Sequence, residues 1–152
     1  MASNEYVRFL CRFNIRECDG VTTVANAKNV FSLVDSAFKE VNVPSEATHA
    51  TTIEVYKFFM YSSLYFVFRS INSDLDKLVF TQNQIVEICE NHSDYLNPDT
   101  TTFFLTKVNK KYVVVMAAAR HKSIWLRGAL DPNQAESCAS KPSIIVPLSP
   151  EV

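Results

Sequence analysis

The chain is poor in glycine, with only Gly20 and Gly128 among its 152 residues. A loop that cradles phosphate needs glycines, because its backbone must approach the ligand closely. The sequence accordingly contains no P-loop, no dinucleotide-binding fingerprint and no nucleophile elbow. Enzymes built on these motifs are therefore not expected.

Long apolar runs are also missing. No run reaches the roughly 18 residues that a membrane span needs, and residues 1–5 lack the basic start and apolar run of a signal peptide. The formal net charge is -1, whereas proteins that bind nucleic acid through bulk electrostatics are usually basic. With 47% hydrophobic and 20% charged residues, the chain is typical of a globular protein. These features predict a cytoplasmic location and no membrane partner.

The four cysteines are scattered and form no C-x-x-C pair: Cys11, Cys18, Cys89 and Cys138. In a cytoplasmic protein they are expected to be free thiols, several of them in the core. Cys89 and His92 have the helical spacing of a zinc-binding pair, but no second pair accompanies them. The sequence therefore predicts neither a metal nor a cofactor.

Residues 6–16 alternate between apolar and polar side chains, which predicts a half-buried strand. The predicted buried face contains Val7, Phe9, Cys11, Phe13 and Ile15. The opposite face presents three arginines, Arg8, Arg12 and Arg16. They form either an anion-binding stripe or a solvated face that acidic residues balance elsewhere.

Apolar residues at helical spacing predict an amphipathic helix over residues 25–41. A capping box of Thr81 and Gln84 predicts a second helix. Residues 49–61 are rich in Thr, Ile, Val, Tyr and Phe, which favours a strand. The aromatic stretch 64–69 is either a returning strand or part of a helix.

Two apolar runs, 103–108 and 112–118, predict a hairpin around Asn109-Lys110, and residues 121–127 predict a further strand. This order predicts one α+β domain over residues 1–130, with a mainly antiparallel sheet, two helices and a hint of two similar lobes.

Residues 131–152 carry four prolines and are interpreted as a C-terminal tail. Its apolar run 143–146 either adds an edge strand or docks on a partner.

Two short strings carry the only chemical pattern in the sequence, His49-Ala50-Thr51 and His121-Lys122-Ser123. Residues i and i+2 of a strand point to the same face, so each string presents an imidazole beside a hydroxyl. Two such pairs facing one cleft could act on a phosphodiester. The alternative is that His49 is a surface residue and that residues 120–122 are a solvated strand end.

The two strings and the order of elements resemble the two-histidine phosphoesterase family. That family includes RNA ligase-like cyclic phosphodiesterases and antiviral-defence antagonists from viruses and phages. The resemblance implies a bilobal α+β fold with a His-x-Thr/Ser motif on a strand of each lobe. It covers six motif positions and the element order of the chain.

The resemblance implies a metal-independent mechanism. One of His49 and His121 would be the general base and the other the general acid, roles that suit imidazole because its pKa lies near neutral pH. Thr51 and Ser123 would donate hydrogen bonds to nonbridging phosphate oxygens. On the face of the second string, Trp125 would stack on a base and Arg127 would pair with phosphate.

The leading expectation is a different function, protein–protein interaction or assembly, of the kind found in small viral or phage proteins. The aromatic run between Tyr56 and Phe68 is longer than one small domain readily buries. The proline-punctuated tail and the lack of a strong catalytic motif favour the same interpretation. The expected partner is another protein or a second copy of the chain. The alternative is a phosphodiesterase acting on cyclic or 2',5'-linked oligonucleotides, and an oligonucleotide is a partner only in that case.

Overall fold

The computed structural model describes residues 4, 6–27, 29–34, 38, 44–58, 63–97, 101–120, 123–130 and 143–148. Within them lie eight strands: β1 (Val7–Ile15), β2 (Leu33–Val34), β3 (Thr51–Phe58), β4 (Val79–Phe80), β5 (Thr101–Val108), β6 (Lys111–Arg120), β7 (Ser123–Leu130) and β8 (Ser143–Pro147). The same residues form helices α1 (Leu64–Ile71) and α2 (Gln82–Asn91), and short 3-10 helices at Leu75–Leu78 and Ser93–Tyr95.

All eight strands join one sheet in the order β1-β3-β8-β5-β6-β7-β2, and β4 pairs with β5 beside this path. The pairings β1–β3, β3–β8, β5–β6 and β6–β7 are antiparallel, whereas β2–β7, β4–β5 and β5–β8 are parallel. The predicted α+β class, with a mainly antiparallel sheet, is confirmed. Strands from both halves of the chain share this sheet, so the described residues do not separate into two lobes. No helix among them is long and apolar enough to cross a membrane.

Strand β8 lies in the interior of the sheet, between β3 and β5. For the apolar run 143–146 the sequence left two alternatives, an edge strand or docking on a partner. The run forms a strand, but it lies in the interior of the sheet and not at an edge. Four of its five residues are buried, because the sheet is covered on both faces and the strand has neighbours on both sides. Residues 143–147 of the predicted C-terminal tail therefore belong to the same sheet as the strands before residue 130.

Each face of the sheet carries its own hydrophobic core. On one face α2 packs against residues such as Ile53, Phe104 and Ile145. On the other face α1 packs against residues such as Phe58, Phe103 and Ile144. Neighbouring residues of β5 and β8 thus enter opposite cores. This explains why residues 103–105 and 144–146 are consecutive apolar residues instead of alternating with polar ones.

A β-bulge at Leu10 divides β1. Phe9 is opposite Tyr56, Cys11 is opposite Val55, and Leu10 has no partner in the register. Because one extra residue reverses the inward and outward positions, Val7 and Phe9 face the α1 core, and Phe13 and Ile15 face the α2 core. The prediction that all five apolar residues of β1 share one face is therefore wrong.

The same bulge divides the predicted arginine stripe. Arg8 is opposite Lys57 and Arg12 is opposite Glu54, so the two arginines lie on opposite faces. The Arg12 guanidinium binds the buried Glu54 carboxylate at 3.0 Å. Arg16 binds the buried Glu87 of α2, also at 3.0 Å. Acidic residues thus balance Arg12 and Arg16.

The predicted helix over residues 25–41 is wrong for its first half. Residues 25–34 form turns and the short strand β2, and most of 35–43 lies outside the described residues. The open question at 64–69 is resolved as helix α1, whose Leu64, Val67 and Phe68 form its buried side. Helix α2 begins at the predicted capping box, with both reciprocal hydrogen bonds of Thr81 and Gln84 present.

The predicted hairpin around Asn109-Lys110 is confirmed. Val108 pairs with Lys111 across a two-residue loop, in which Asn109 has φ 51° and Lys110 has φ 66°. Positive φ at both positions is typical of a type I′ turn, whose twist matches that of the strands. Asparagine tolerates this conformation, but lysine carries a steric cost there.

Replacing Lys110 with glycine should therefore stabilise the protein by about 0.5–1 kcal/mol. The relief of backbone strain in the folded protein exceeds the entropic cost of the extra flexibility that glycine gives the unfolded chain. Urea unfolding followed by circular dichroism measures the change. The matched control is Lys111→Gly, one position later in β6, which should lower stability because glycine is unfavourable within a strand. Destabilisation by both variants would contradict the strained-turn interpretation.

Candidate functional site

A cleft lies at one end of the sheet, where three parallel strands finish. Strands β4, β5 and β8 run in the same direction and end at Phe80, Val108 and Pro147. We call this the Val108 end of the sheet. Strand β5 has two partners along the same side, β8 near Thr102 and β4 near Thr106. The cleft opens between β8 and β4, where the partner of β5 changes from one to the other. Its volume is about 1220 Å³.

The walls of the cleft combine apolar and cationic residues. Val79, Phe80, Val108, Pro147 and Leu148 contribute apolar surface. The charged lining residues are Arg12, Lys77, Lys107 and Asp76. Arg12 is paired with the buried Glu54, and Lys107 is paired with Asp76. These two cations of the lining therefore already have carboxylates beside them.

The first predicted string lies in this cleft. His49 and Thr51 both line it, at the start of β3. His49 is exposed and Thr51 is half-buried. The Thr51 hydroxyl donates a hydrogen bond of 2.8 Å to the backbone carbonyl of His49, which ties the two residues into a local turn.

The segment that carries His49 is held by backbone hydrogen bonds. Cys18 and Thr48 exchange two of them, at 3.0 and 2.8 Å. The amide of Ser45 donates to the Gly20 carbonyl at 2.9 Å, and the Gly20 amide donates to Oδ1 of Asn83 in α2 at 2.7 Å. Residues 44–49 are thereby fastened to the loop after β1 and to the first turn of α2.

The structure does not place the second string beside the first. His121 and Lys122 lie outside the described residues, and of Ser123 only the backbone is described. Ser123 begins β7 opposite Arg120, at the end of the sheet away from Val108, whereas Thr51 is at the Val108 end. Four strand spacings also separate β3 from β7, roughly 19 Å across the sheet. The catalytic pairing of His49 and His121 stays a prediction, but the backbone sets Thr51 and Ser123 far apart.

Trp125 and Arg127 lie farther along β7. Trp125 is half-buried where β2 pairs with β7. The backbone of Arg127 pairs with Met116, and its side chain lies outside the described part of the structure. The strand places both residues four spacings from β3 and its cleft.

Asp76 at the rim of the cleft accepts two hydrogen bonds. Nζ of Lys107 donates at 2.9 Å and the Tyr112 hydroxyl donates at 2.5 Å. The hydrogen bond from Tyr112, followed by that from Lys107, lowers the pKa of the Asp76 carboxyl below its ordinary value. The same hydrogen bond to Asp76 raises the pKa of Tyr112 to about 12. This trio of side chains fixes Lys107 at the mouth of the cleft.

A second pocket, of about 710 Å³, adjoins the first and shares His49 with it. It contains the buried Cys18 together with Arg16 and Glu87. Burial, and then the Glu87 carboxylate, raises the pKa of the Cys18 thiol, whose Sγ donates to the Arg16 carbonyl at 3.7 Å. A protonated thiol that donates in this way is a structural residue and not an activated nucleophile.

The other cysteines in the described residues are also free thiols. Burial raises the pKa of Cys89 to about 12, and the His92 ring lies 5.2 Å from that of Phe13. Cys89 and His92 thus serve the packing around α2. Within the described ranges, no group of three or more His, Cys, Asp or Glu side chains is arranged to hold a metal ion.

Comparison of the chain with protein-family models, with curated proteins and with solved structures gives no match.

Sequence reasoning found His49 and Thr51 but missed the cationic residues beside them. Lys77 comes from a 3-10 helix and Lys107 from β5, so no local pattern joins them. The capping box at Thr81 predicted the start of α2, which directly follows the end of β4, but it gave no indication of the cleft beside it.

Replacing Gly20 with alanine tests how the His49 segment is positioned. Gly20 has φ +84°, and a Cβ there would overlap the carbonyl oxygens of Ser45 and Glu46. We expect a loss of roughly 2–3 kcal/mol in the free energy of unfolding, measured by urea denaturation. The control Val21→Ala, at an exposed neighbouring position, should change stability by less than about 0.5 kcal/mol. Equal effects of the two substitutions would contradict this anchoring role.

Replacing Tyr112 with phenylalanine tests the hydrogen bonds at Asp76. Without the hydroxyl, the pKa of Asp76 should rise towards its ordinary value of 3.8, as measured by NMR titration of the carboxyl carbon. The pKa of Asp76 is lower in the folded than in the unfolded protein, so its contribution to stability is present above about pH 4 and is lost as pH falls through the folded-state pKa. The variant should lose part of this acid dependence. The control is Tyr95→Phe, which alters a ring stacked on Phe13 and should leave the pKa of Asp76 unchanged. If the pKa of Asp76 is also unchanged in Tyr112→Phe, the hydrogen bond from Tyr112 is not what lowers it.

Proposed function

We propose that the chain is a protein–protein interaction module that self-associates through strand β1 and helix α1. The observation that carries this proposal is the outer edge of β1. Among the described strands, this nine-residue strand pairs only with β3. Through its amide and carbonyl groups, the outer side of an edge strand can pair with a strand of another chain.

The side chains of this edge favour association. Sheet edges that avoid pairing carry charged side chains, proline or β-bulges, and β1 has a bulge between the exposed Arg8 and Arg12. The bulge position itself holds Leu10, which is 47% exposed. An exposed leucine on an edge strand is better explained by burial in an interface than by protection of the edge.

Helix α1 extends the same surface with aromatic residues. Phe66 is 59% exposed, and Tyr65 contacts it edge-to-face with ring centroids 5.8 Å apart. Arg69 lies over the Tyr65 ring, and Arg12 lies over the ring of Phe9 in β1. Aromatic residues and arginine are the types enriched at the centres of protein interfaces. We call Leu10, Phe9, Tyr65 and Phe66 the β1–α1 surface.

A second copy of the chain is the occupant that these features favour. An antiparallel strand can pair with its own copy about a two-fold axis, with the same surface on both subunits. The bulge at Leu10 divides this edge. The regular part after it, residues 11–15, is roughly 17 Å long and would carry the ladder between subunits. The formal charge of -1 produces little repulsion between copies.

The phosphodiesterase alternative remains a prediction from the two His-x-Thr/Ser strings. His49 and Thr51 line one cleft with Lys77 and Lys107. The placement of Ser123 at the other end of the sheet does not favour a shared catalytic site. The cytoplasmic location and the viral or phage origin likewise stay predictions from the sequence.

Light scattering coupled to size-exclusion chromatography tests self-association. The wild-type chain should be a dimer, and Leu10→Lys and Phe66→Lys should each weaken dimerisation by roughly tenfold or more. Val21→Lys is the matched control, because Val21 is 63% exposed and lies outside the β1–α1 surface; it should dimerise as the wild type does. Circular dichroism checks that each variant is folded.

A wild-type chain that stays monomeric at every concentration tested would overturn the proposal. The proposal would also fail if Val21→Lys weakened the dimer as much as Leu10→Lys does, since the effect would then come from added charge alone.

A further inference from the structure

We infer that the second copy pairs with residues 11–15 of β1 in an antiparallel register centred on Phe13, and that Tyr95 is part of the interface. The inference rests on the proposed self-association and adds a second surface, on the face of the sheet that carries α2. Three features support it: the length of the regular strand, the residues that become opposite each other, and an aromatic cluster at Phe13.

The symmetry of a homodimer restricts the register of such a pair. A two-fold axis that relates adjacent antiparallel strands of one sheet is perpendicular to the sheet, so each face continues onto the same face of the second copy. Residues that are opposite each other in adjacent strands point to the same face. The axis must therefore pass beside a residue that is opposite its own copy, and not between two residues.

Phe13 is the residue that best meets this condition. The regular part of β1 after the bulge at Leu10 is residues 11–15, and Phe13 is its midpoint. With the axis there, every residue of the segment has a partner within the same segment of the second copy. An axis beside Arg12 or Asn14 leaves residues at one end of the segment without such a partner.

The residues that become opposite each other are compatible. Arg12 is opposite Asn14 of the second copy, and Cys11 is opposite Ile15. An axis beside Arg12 would instead place two arginines directly opposite each other, which is unfavourable for like charges. Arg12 keeps its ion pair with Glu54 of its own chain, because Glu54 lies on β3, on the inner side of β1.

Phe13 is the centre of an aromatic cluster on the face that carries α2. The ring of Tyr95 is stacked on it with centroids 4.1 Å apart, and the ring of His92 lies 5.2 Å away. Phe13 is buried, whereas Tyr95 is 38% exposed. With Phe13 opposite its own copy, the two clusters meet near the axis and cover the exposed part of Tyr95. Tyrosine is among the residues enriched at the energetic centres of interfaces.

Disulfide cross-linking between two variants tests the register. Cys11 and Cys138 are first replaced with serine, so that the remaining thiols are the buried ones. Arg12→Cys and Asn14→Cys are then made in separate chains. A mixture of the two should form a disulfide-linked dimer on oxidation, because opposite residues have Cα atoms about 4.5–5.5 Å apart. Each variant alone should not, because its two copies would be roughly 8 Å apart, beyond the reach of a disulfide.

Substitutions of Tyr95 test the second surface. Tyr95→Ala should weaken dimerisation by roughly tenfold, measured by light scattering over a range of concentrations. Tyr95→Phe keeps the ring, so this matched control should dimerise as the wild type does. Circular dichroism checks that each variant is folded. In the wild-type chain, amide hydrogen exchange of residues 11–15 should slow as the concentration is raised through the Kd, and this measurement needs no substitution.

The inference is overturned if Arg12→Cys or Asn14→Cys alone cross-links as well as the mixture, since the axis then lies elsewhere. It is also overturned if the mixture of folded variants gives no cross-linked dimer, or if exchange of residues 11–15 is the same at all concentrations. A wild-type dimer that Leu10→Lys weakens and Tyr95→Ala does not would leave the proposed function standing and contradict only this inference. A monomeric wild-type chain would contradict both.

Discussion

The whole fold depends on the pairing of β8 with β3 on one side and β5 on the other. Without this strand, the β1–β3 pair and the β5–β6–β7 meander would be separate pieces of sheet. Its five residues come from a segment far along the chain, and they contribute to both hydrophobic cores. The same strand creates the cleft, because it pairs with only a short part of β5 and leaves the remainder to β4.

The β-bulge in β1 places arginines on both faces of the sheet. After the bulge at Leu10, Arg12 meets Glu54, which also accepts a hydrogen bond of 3.0 Å from the Tyr56 hydroxyl. Just beyond the strand, Arg16 meets Glu87, which accepts another from Asn91 at 2.9 Å. Buried carboxylates are costly unless they are paired and hydrogen-bonded. Each glutamate meets both conditions, so these ion pairs fix the position of β1 against β3 and α2.

Local signals predicted the parts of the fold that local physics controls. The capping box at Thr81 and the hairpin at Asn109-Lys110 were found because backbone conformation there follows from the side chains themselves. The faces of β1 were misassigned because a bulge leaves no mark in a simple alternating pattern. The helix over residues 25–41 was overpredicted because the same apolar spacing can bury residues such as Ala27 and Phe31 from turns packed on the sheet.

The sequence by itself determined the α+β class, the hairpin, the second helix, the free thiols and the presence of His49 beside Thr51. Each of these follows from neighbours in the chain. Only the tertiary structure decided that β8 is an interior strand, that Lys77 and Lys107 line one cleft with His49, and that Ser123 begins its strand at the opposite end of the sheet. Those relationships join residues tens of positions apart, and strand order, which creates them, is set by long-range pairing and burial that no local pattern encodes.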